Sequence, residues 1–372
     1  MHKGRKAVKG PSGSNYGSFG YVVVGAVVLI AFFRYIHGFV SQPRLNHAAI
    51  NAVMDKCEPS SVPARAKVGG RDIFVLPHCQ PQGLLVLLHG CTRFAASFFY
   101  SPEGREIVKQ SQLDGGFAIL AVSKEKELGC WNPEEEVEVV KQVIQQTKEK
   151  YGWQKLPLYG FGASSGGSML GALSQAMGFC AINIQISPVK KNPRASGVIY
   201  TLMENDSAML KFSKLMRPEL EASGNVQHVR VLQVKTPTVR EDFFAKKIEG
   251  VSIETSKLFF KTLVSEGFVD MNAQVLKKNP RQSNPLEKFQ PSHPFFLEPG
   301  ISKLLTHAET KDAAAVPIIE ELNVLYNQHE ITSALYLSHV LPFFKAQNCA
   351  AAVRNPKLLK SQIIMHRQFN HP

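Results

Sequence analysis

A run of very small residues, wedged between an apolar strand and a helix, constrains this chain more than any other stretch. Leu156 to Phe161 is a short apolar segment with one Pro and one Tyr, suited to a buried strand. Ala163 to Gly167 carries only Ala, Ser and Gly, and from Ser168 onward Met169, Leu170, Leu173 and Met177 recur at helical spacing. The order is strand, sharp turn, helix. Within the turn, Gly162-Ala163-Ser164-Ser165-Gly166 matches G-x-S-x-G. That pattern sets a serine on a strained bend, lifts its Oγ clear of the sheet and aims the following N–H the same way. The neighbouring chain passes too close for side chains two residues either side, so only Gly or a similarly small residue fits there. Ser164 is the candidate nucleophile because Gly occupies both of those positions; Ser165, framed by Ala163 and Gly167, is its rival. The pattern alone also occurs in flexible loops, and the flanking strand and helix are what favour the strained bend.

The 372-residue chain carries a net charge of +13. Lys3, Arg5, Lys6 and Lys9 open it, and Lys345, Arg354, Lys357, Lys360 and Arg367 close it, with no acid among either group. Basic ends suit anionic surfaces, though solvated tails are the simpler reading. No zinc-finger spacing, recognition-helix pattern or aromatic-basic interleaving accompanies them, so no nucleic-acid partner is expected. Six cysteines show no C-x-x-C pairing, and no metal is expected. Their even number permits disulfides in an oxidising compartment.

After a basic, then Gly/Ser-rich segment over 1–18, the uncharged run Phe19 to Phe33 begins a stretch over 19–40 that reads as a membrane anchor. Tyr35, Ile36 and Phe39 extend it, and Arg34 can snorkel. A buried core helix and a signal peptide are the competing readings. The basic start favours a cytoplasmic N-terminus with the remaining chain lumenal or extracellular; Arg34 and Arg44 on the far side count against this. Asn205-Asp206-Ser207 is a glycosylation sequon compatible with that placement. Residues 41–70 read as a linker and 346–372 as a basic tail.

Between them, 71–345 alternates strands and helices, which predicts an α/β domain: a mainly parallel sheet with helices on both faces. Strands are expected at Arg71 to Leu76, Leu84 to Leu88, Phe117 to Val122, Leu156 to Phe161, Cys180 to Ile186, His228 to Val234 and Asp270 to Leu276. Residues 188–227 read as mixed, with a helical piece near Ala208 to Ala222. Asn132-Pro133-Glu134-Glu135-Glu136 is a strong helix start, with a capping Asn, Pro at the first position and carboxylates at the positive end of the dipole. A Pro-rich insertion runs from about 278 to 317, followed by helices over Val316 to Tyr326 and Glu330 to Phe344.

A serine hydroxyl needs a base, and the base a carboxylate to orient it. The expected order is Ser, acid, His. His329 fits: it lies late and opens a helix. His339, His307 and His293 are weaker candidates. For the acid, Asp242 and then Glu241 follow the strand ending at Val234, with Asp270 a third option. Gly90 ends a buried strand at His89-Gly90-Cys91-Thr92, so the amides of Cys91 or Thr92, together with that of Ser165, are the candidate oxyanion donors. Cys91 and Cys130 each follow a strand at one sheet edge, where open α/β sheets bind ligands. They are a candidate disulfide, or Cys91 a free thiol; Trp131 is a candidate for lining the substrate pocket.

With these parts in this order, residues 70–345 resemble the α/β-hydrolase superfamily. GASSGGSML is similar to serine esterases of the polyhydroxyalkanoate-depolymerase and feruloyl-esterase type. HGCTRFAASFF, GCW, GASSGG and NQHEITS look like membrane-anchored, hydrolase-like proteins of plants and algae. The resemblance implies an eight-stranded sheet, ester or related acyl substrates and no cofactor. Two departures stand out: no Asp lies directly after the strand ending at Val234, and the stretch from Leu276 to His329 is long. The rival reading is a membrane-tethered binding scaffold that has lost its triad.

Overall fold

The computed structural model describes residues 62–124, 129–185, 193–223, 226–272, 274–283, 285, 317–347 and 349. The expected anchor over 19–40, most of the linker, most of the Pro-rich insertion, His293, His307 and nearly all of the basic tail lie outside them. Among the described residues, no helix is long and apolar enough to cross a membrane.

Eight strands form one sheet: β1 (Ala64–Val68), β2 (Arg71–Leu76), β3 (Gly83–Leu88), β4 (Phe117–Val122), β5 (Leu158–Ala163), β6 (Phe179–Gln185), β7 (Ala195–Met203) and β8 (Val226–Val234). Their spatial order is β1-β2-β4-β3-β5-β6-β7-β8. β2 runs antiparallel to both β1 and β4, and every pairing from β4 across to β8 is parallel. This mostly parallel arrangement is consistent with the α/β-hydrolase fold. It departs from expectation at three places. β1 lies inside the segment read as linker. β7 lies inside the segment read as mixed. The strand expected over Asp270 to Leu276 is a two-residue ladder, β9 (Val269–Asp270) with β10 (Val275–Leu276), outside the main sheet.

Ten helices are described: α1 (Ser97–Tyr100), α2 (Pro102–Leu113), α3 (Pro133–Lys150), α4 (Ser165–Ala176), α5 (Ser207–Ser223), α6 (Phe243–Lys247), α7 (Ile253–Ser265), α8 (Pro280–Ser283), α9 (Pro317–Tyr326) and α10 (Ser333–Ala346). As Asn132 promised, its side chain accepts from the Glu134 amide and Pro133 occupies the first turn of α3.

The central strands have no exposed residue, which is why they read as continuous apolar runs rather than alternating ones. Alternate residues of one strand serve opposite faces. Leu84, Val86 and Leu88 pack with Val140 and Ile144 of α3 and Leu170 and Leu173 of α4. Leu85 and Leu87 pack with Phe98, Ile107 of α2 and Tyr336 and Phe344 of α10. A satellite core joins α6, α7 and α9 around Phe244, Phe259 and Leu322.

Because β3 and β5 to β8 run parallel, their carboxyl ends share one edge. That edge receives His89-Gly90 from β3, Ser164 from β5, Gln185 from β6 and the Asn205-Asp206 turn from β7.

Candidate active site

Ser164 sits between β5 and α4 with φ 50° and ψ −121°, a strained conformation for a residue with a side chain. Two neighbours explain the surrounding glycines. A Cβ on Gly166 would stand 2.3 Å from the Leu88 carbonyl oxygen and 2.4 Å from that of His89. A Cβ on Gly162 would stand 2.4 Å from the Gly166 oxygen. These contacts are with backbone, so nothing can swing aside. The Ser164 amide donates to the Gln185 carbonyl at 2.9 Å, tying the bend to β6.

The Oγ of Ser164 lies 3.2 Å from Nε2 of His329. The imidazole Nδ1 lies 3.0 Å from Oδ2 of Asp206. The rival Ser165 makes no such contact: its hydroxyl is buried without a hydrogen-bond partner.

The acid position is a correction. Glu241 and Asp242 lie between β8 and α6, where Asp242 pairs with Lys246 at 2.5 Å and Glu241 is exposed. The Lys246 bond holds the Asp242 carboxyl below its usual range, which marks a surface ion pair. Asp270 belongs to the β9–β10 ladder, where it accepts from the Asn272 amide. His339 is exposed on α10. The carboxylate on the imidazole comes instead from the turn after β7. Asp206 is 5 % exposed, and its Oδ1 accepts from the Met209 amide in the first turn of α5, leaving Oδ2 for the imidazole. A signal for it was present: Val198 to Met203 is a continuous run of β-branched, aromatic and apolar residues, with Asn-Asp-Ser one residue behind it.

Opposite Ser164, Gly90 approaches so closely that a Cβ on it would meet the serine Cβ at 3.4 Å. The residue before Cys91 thus lies against the bend. Thr92 is corrected as a donor: its amide already bonds the Gly129 carbonyl at 3.3 Å. Cys91 and Cys130 form a disulfide that ties this loop to the segment before α3. A second disulfide joins Cys180 of β6 to Cys349.

His89 is 2 % exposed and locks the same loop. Its Nδ1 donates to the Gly90 carbonyl at 2.7 Å, and its Nε2 accepts from the Lys124 amide at 3.2 Å. One ring nitrogen donates and the other accepts, so the ring is neutral. Burial, with Lys124 and Arg93 nearby, lowers its pKa to about 4. Trp131 is also corrected: it is 4 % exposed, packs in the core beside the His89 ring, and donates from Nε1 to the His89 carbonyl at 2.9 Å. It shapes the loop rather than lining a pocket.

A cleft opens beside Gly90, lined among others by Arg93, Ser97, Phe98, Val324, Glu330 and Ile331. Arg93 is paired with Glu320 of α9, and Glu330 with Arg281 of α8. A more open hollow between α2 and α10, around Leu113, Leu337 and Leu341, is lined by neither Ser164, His329 nor Asp206. Among the described residues, no group of His, Cys, Asp and Glu could hold a metal ion.

No protein-family model and no curated protein matches the chain. Solved structures similar to parts of it include hydrolases. A carboxylesterase from Mesorhizobium loti aligns at 11 % identity over 50 % of this chain and 96 % of its own, with a TM-score of 0.39. An esterase from Pyrococcus furiosus aligns at 13 % identity over 60 % of this chain and 98 % of its own, with a TM-score of 0.38. A serine hydrolase from Xanthomonas campestris aligns at 13 % identity over 56 % and 96 %, with a TM-score of 0.37. Likeness this distant carries no statement about substrate or catalytic residues.

Proposed function

We propose that the chain is a serine hydrolase that cleaves an ester or related acyl bond. The observation that carries this reading is the contact line Ser164 Oγ, His329, Asp206, at 3.2 and 3.0 Å. Nε2 faces the serine hydroxyl and takes its proton as Oγ attacks the carbonyl carbon. Asp206 holds the Nδ1–H and stabilises the imidazolium that forms. The Ser165 amide, at the start of α4 where helical N–H groups have no intrahelical acceptor, and the Cys91 amide face the developing oxyanion. The imidazolium then protonates the leaving alkoxide. Water, activated by the same imidazole, attacks the acyl carbon and releases the acid and free Ser164.

Membrane attachment through 19–40 belongs to the same proposal, with the catalytic domain lumenal or extracellular. The two disulfides support it, since such bonds persist in oxidising compartments. Affinity with the polyhydroxyalkanoate-depolymerase and feruloyl-esterase type, and with the plant and algal proteins, rests on the motifs quoted above.

A fluorophosphonate probe tests the chemistry. It labels the wild type, and labelling disappears in Ser164→Ala and persists in Ser165→Ala. Loss in Ser165→Ala alone would move the nucleophile, and no labelling of the wild type would leave a tethered binding scaffold.

A further inference from the structure

The loop Tyr326 to Glu330 carries the imidazole, yet nothing covalent nearby fixes its distance from the acid. It is also conformationally costly: Asn327 has φ 54° and His329 φ 50°, both in the left-handed region. Each such non-glycine residue costs of order 1–3 kcal/mol unless its surroundings hold it. The surroundings do so by catching its carbonyls. Gln185 at the end of β6 donates from Nε2 to the Glu330 carbonyl at 2.8 Å, and Arg281 donates to that of His329 at 3.1 Å. The other two bonds come from one residue. Asn205 donates from Nδ2 to the Tyr326 carbonyl at 2.8 Å and from its backbone N–H to the Asn327 carbonyl at 3.2 Å. A carbonyl only accepts, so the amide nitrogen of Asn205 must face it. Asn327 completes the link by donating to the Val234 carbonyl at 2.8 Å, which also accepts from the Glu204 amide.

Resting on the serine-hydrolase reading, we infer that Asn205 is a positioning residue: it laces the acid turn to the base loop and thereby sets the Asp206–His329 distance. It stands one position before the acid and touches no reacting atom. Its second amide hydrogen goes to the Thr236 hydroxyl at 3.3 Å, outside the base loop. The residue is exposed, so removing its side chain leaves the core intact. Asn205 also opens the sequon, and Nδ2, where a glycan would attach, is the atom that holds the loop.

The test compares wild type, Asn205→Ala, Asn205→Asp and Thr236→Val on a chromogenic short-chain ester. A misplacement of about 1 Å costs roughly 100-fold in rate, so Asn205→Ala is expected to lose roughly 10- to 100-fold in kcat with KM within about twofold. Its kcat/KM falls off on the acid side at a lower pH than in wild type, because a looser carboxylate supports the imidazolium less. A residue serving stability alone would not move that limb. Asn205→Asp keeps the size but turns an acceptor toward the Tyr326 carbonyl, and loses at least as much kcat; it also answers the question should Asn205→Ala fail to fold. Thr236→Val, which spares the bond to Tyr326, stays within about twofold. An active wild type matched by Asn205→Ala in kcat and pH profile overturns this inference alone. A wild type that neither hydrolyses the ester nor takes the fluorophosphonate probe overturns the underlying reading and this one with it.

Discussion

Asp206 Oδ2 lies 3.0 Å from His329 Nδ1, although 123 positions separate the two residues along the chain. The carboxylate is buried in the turn after β7, whereas the imidazole has 38 % of its side chain exposed. On the proposed mechanism, an acid placed this way orients the ring from behind while the opposite nitrogen faces Ser164.

Exchanging Asp206 for Asn therefore presents the wrong hydrogen-bonding group to Nδ1. The expected outcome is a fall in kcat of about 10⁴-fold, the size seen when a triad acid is so replaced. Glu241→Gln and Asp242→Asn, by contrast, remove surface charges far from the imidazole and change kcat by less than about twofold. Steady-state ester hydrolysis by the three variants decides between the positions. A large loss in Asp242→Asn with none in Asp206→Asn would refute the assignment.

His89 gives the fold a pH dependence of known sign. Its pKa is about 4 in the folded chain against 6.5 for an unperturbed His. The unfolded chain binds the extra proton between these values, so stability rises with pH across that window. The contribution is complete above pH 6.5 and is lost as the pH falls through about 4. At 1.36 kcal/mol per pKa unit it amounts to about 3 kcal/mol. Urea unfolding between pH 4 and 8 measures this. His89→Gln is less stable at neutral pH, because its loop bonds are broken, but shows a shallower acid decline; an unchanged decline would refute the account.

The two disulfides are expected to differ in worth. Cys180–Cys349 closes 169 positions and Cys91–Cys130 closes 39. Loop-closure entropy alone predicts about 5 and about 4 kcal/mol respectively, as upper values. Cys180→Ser/Cys349→Ser should thus lower Tm more, with little effect on turnover of the folded enzyme. Cys91→Ser/Cys130→Ser should lower kcat roughly 10-fold or more, because the Cys91 amide loses its tether beside Ser164. Equal kcat for both double variants at a temperature where both are folded would separate the disulfide from the oxyanion site.

Much of this was readable along the chain because it is local. Ser164 could be found since a bend this tight excludes side chains at Gly162 and Gly166, and a steric requirement writes itself into adjacent residue types. His89-Gly90-Cys91 was findable for the same reason, as the abrupt end of a fully apolar strand. The acid was missed through an error one step upstream. With β7 unrecognised in the sequence, β8 takes its place, and the carboxylates that follow it are Glu241 and Asp242. Thr92 and Trp131 were misassigned because residue type says nothing about which way an amide or an indole N–H points. The Gly129 carbonyl had taken the first, and the His89 carbonyl the second.

The sequence alone determined the bend, its serine and the alternation of apolar segments that makes a sheet covered on both faces, because each depends on contacts within a few residues. Only the tertiary structure decided which carboxylate meets His329, which amides remain free and which cysteines join. Those outcomes depend on strand order: β7 lies between β6 and β8, so its turn reaches the base loop, whereas the segment after β8 turns outward into α6. Burial then separates the candidates, since Asp206 finds its partners inside the fold and Asp242 finds a lysine at the surface.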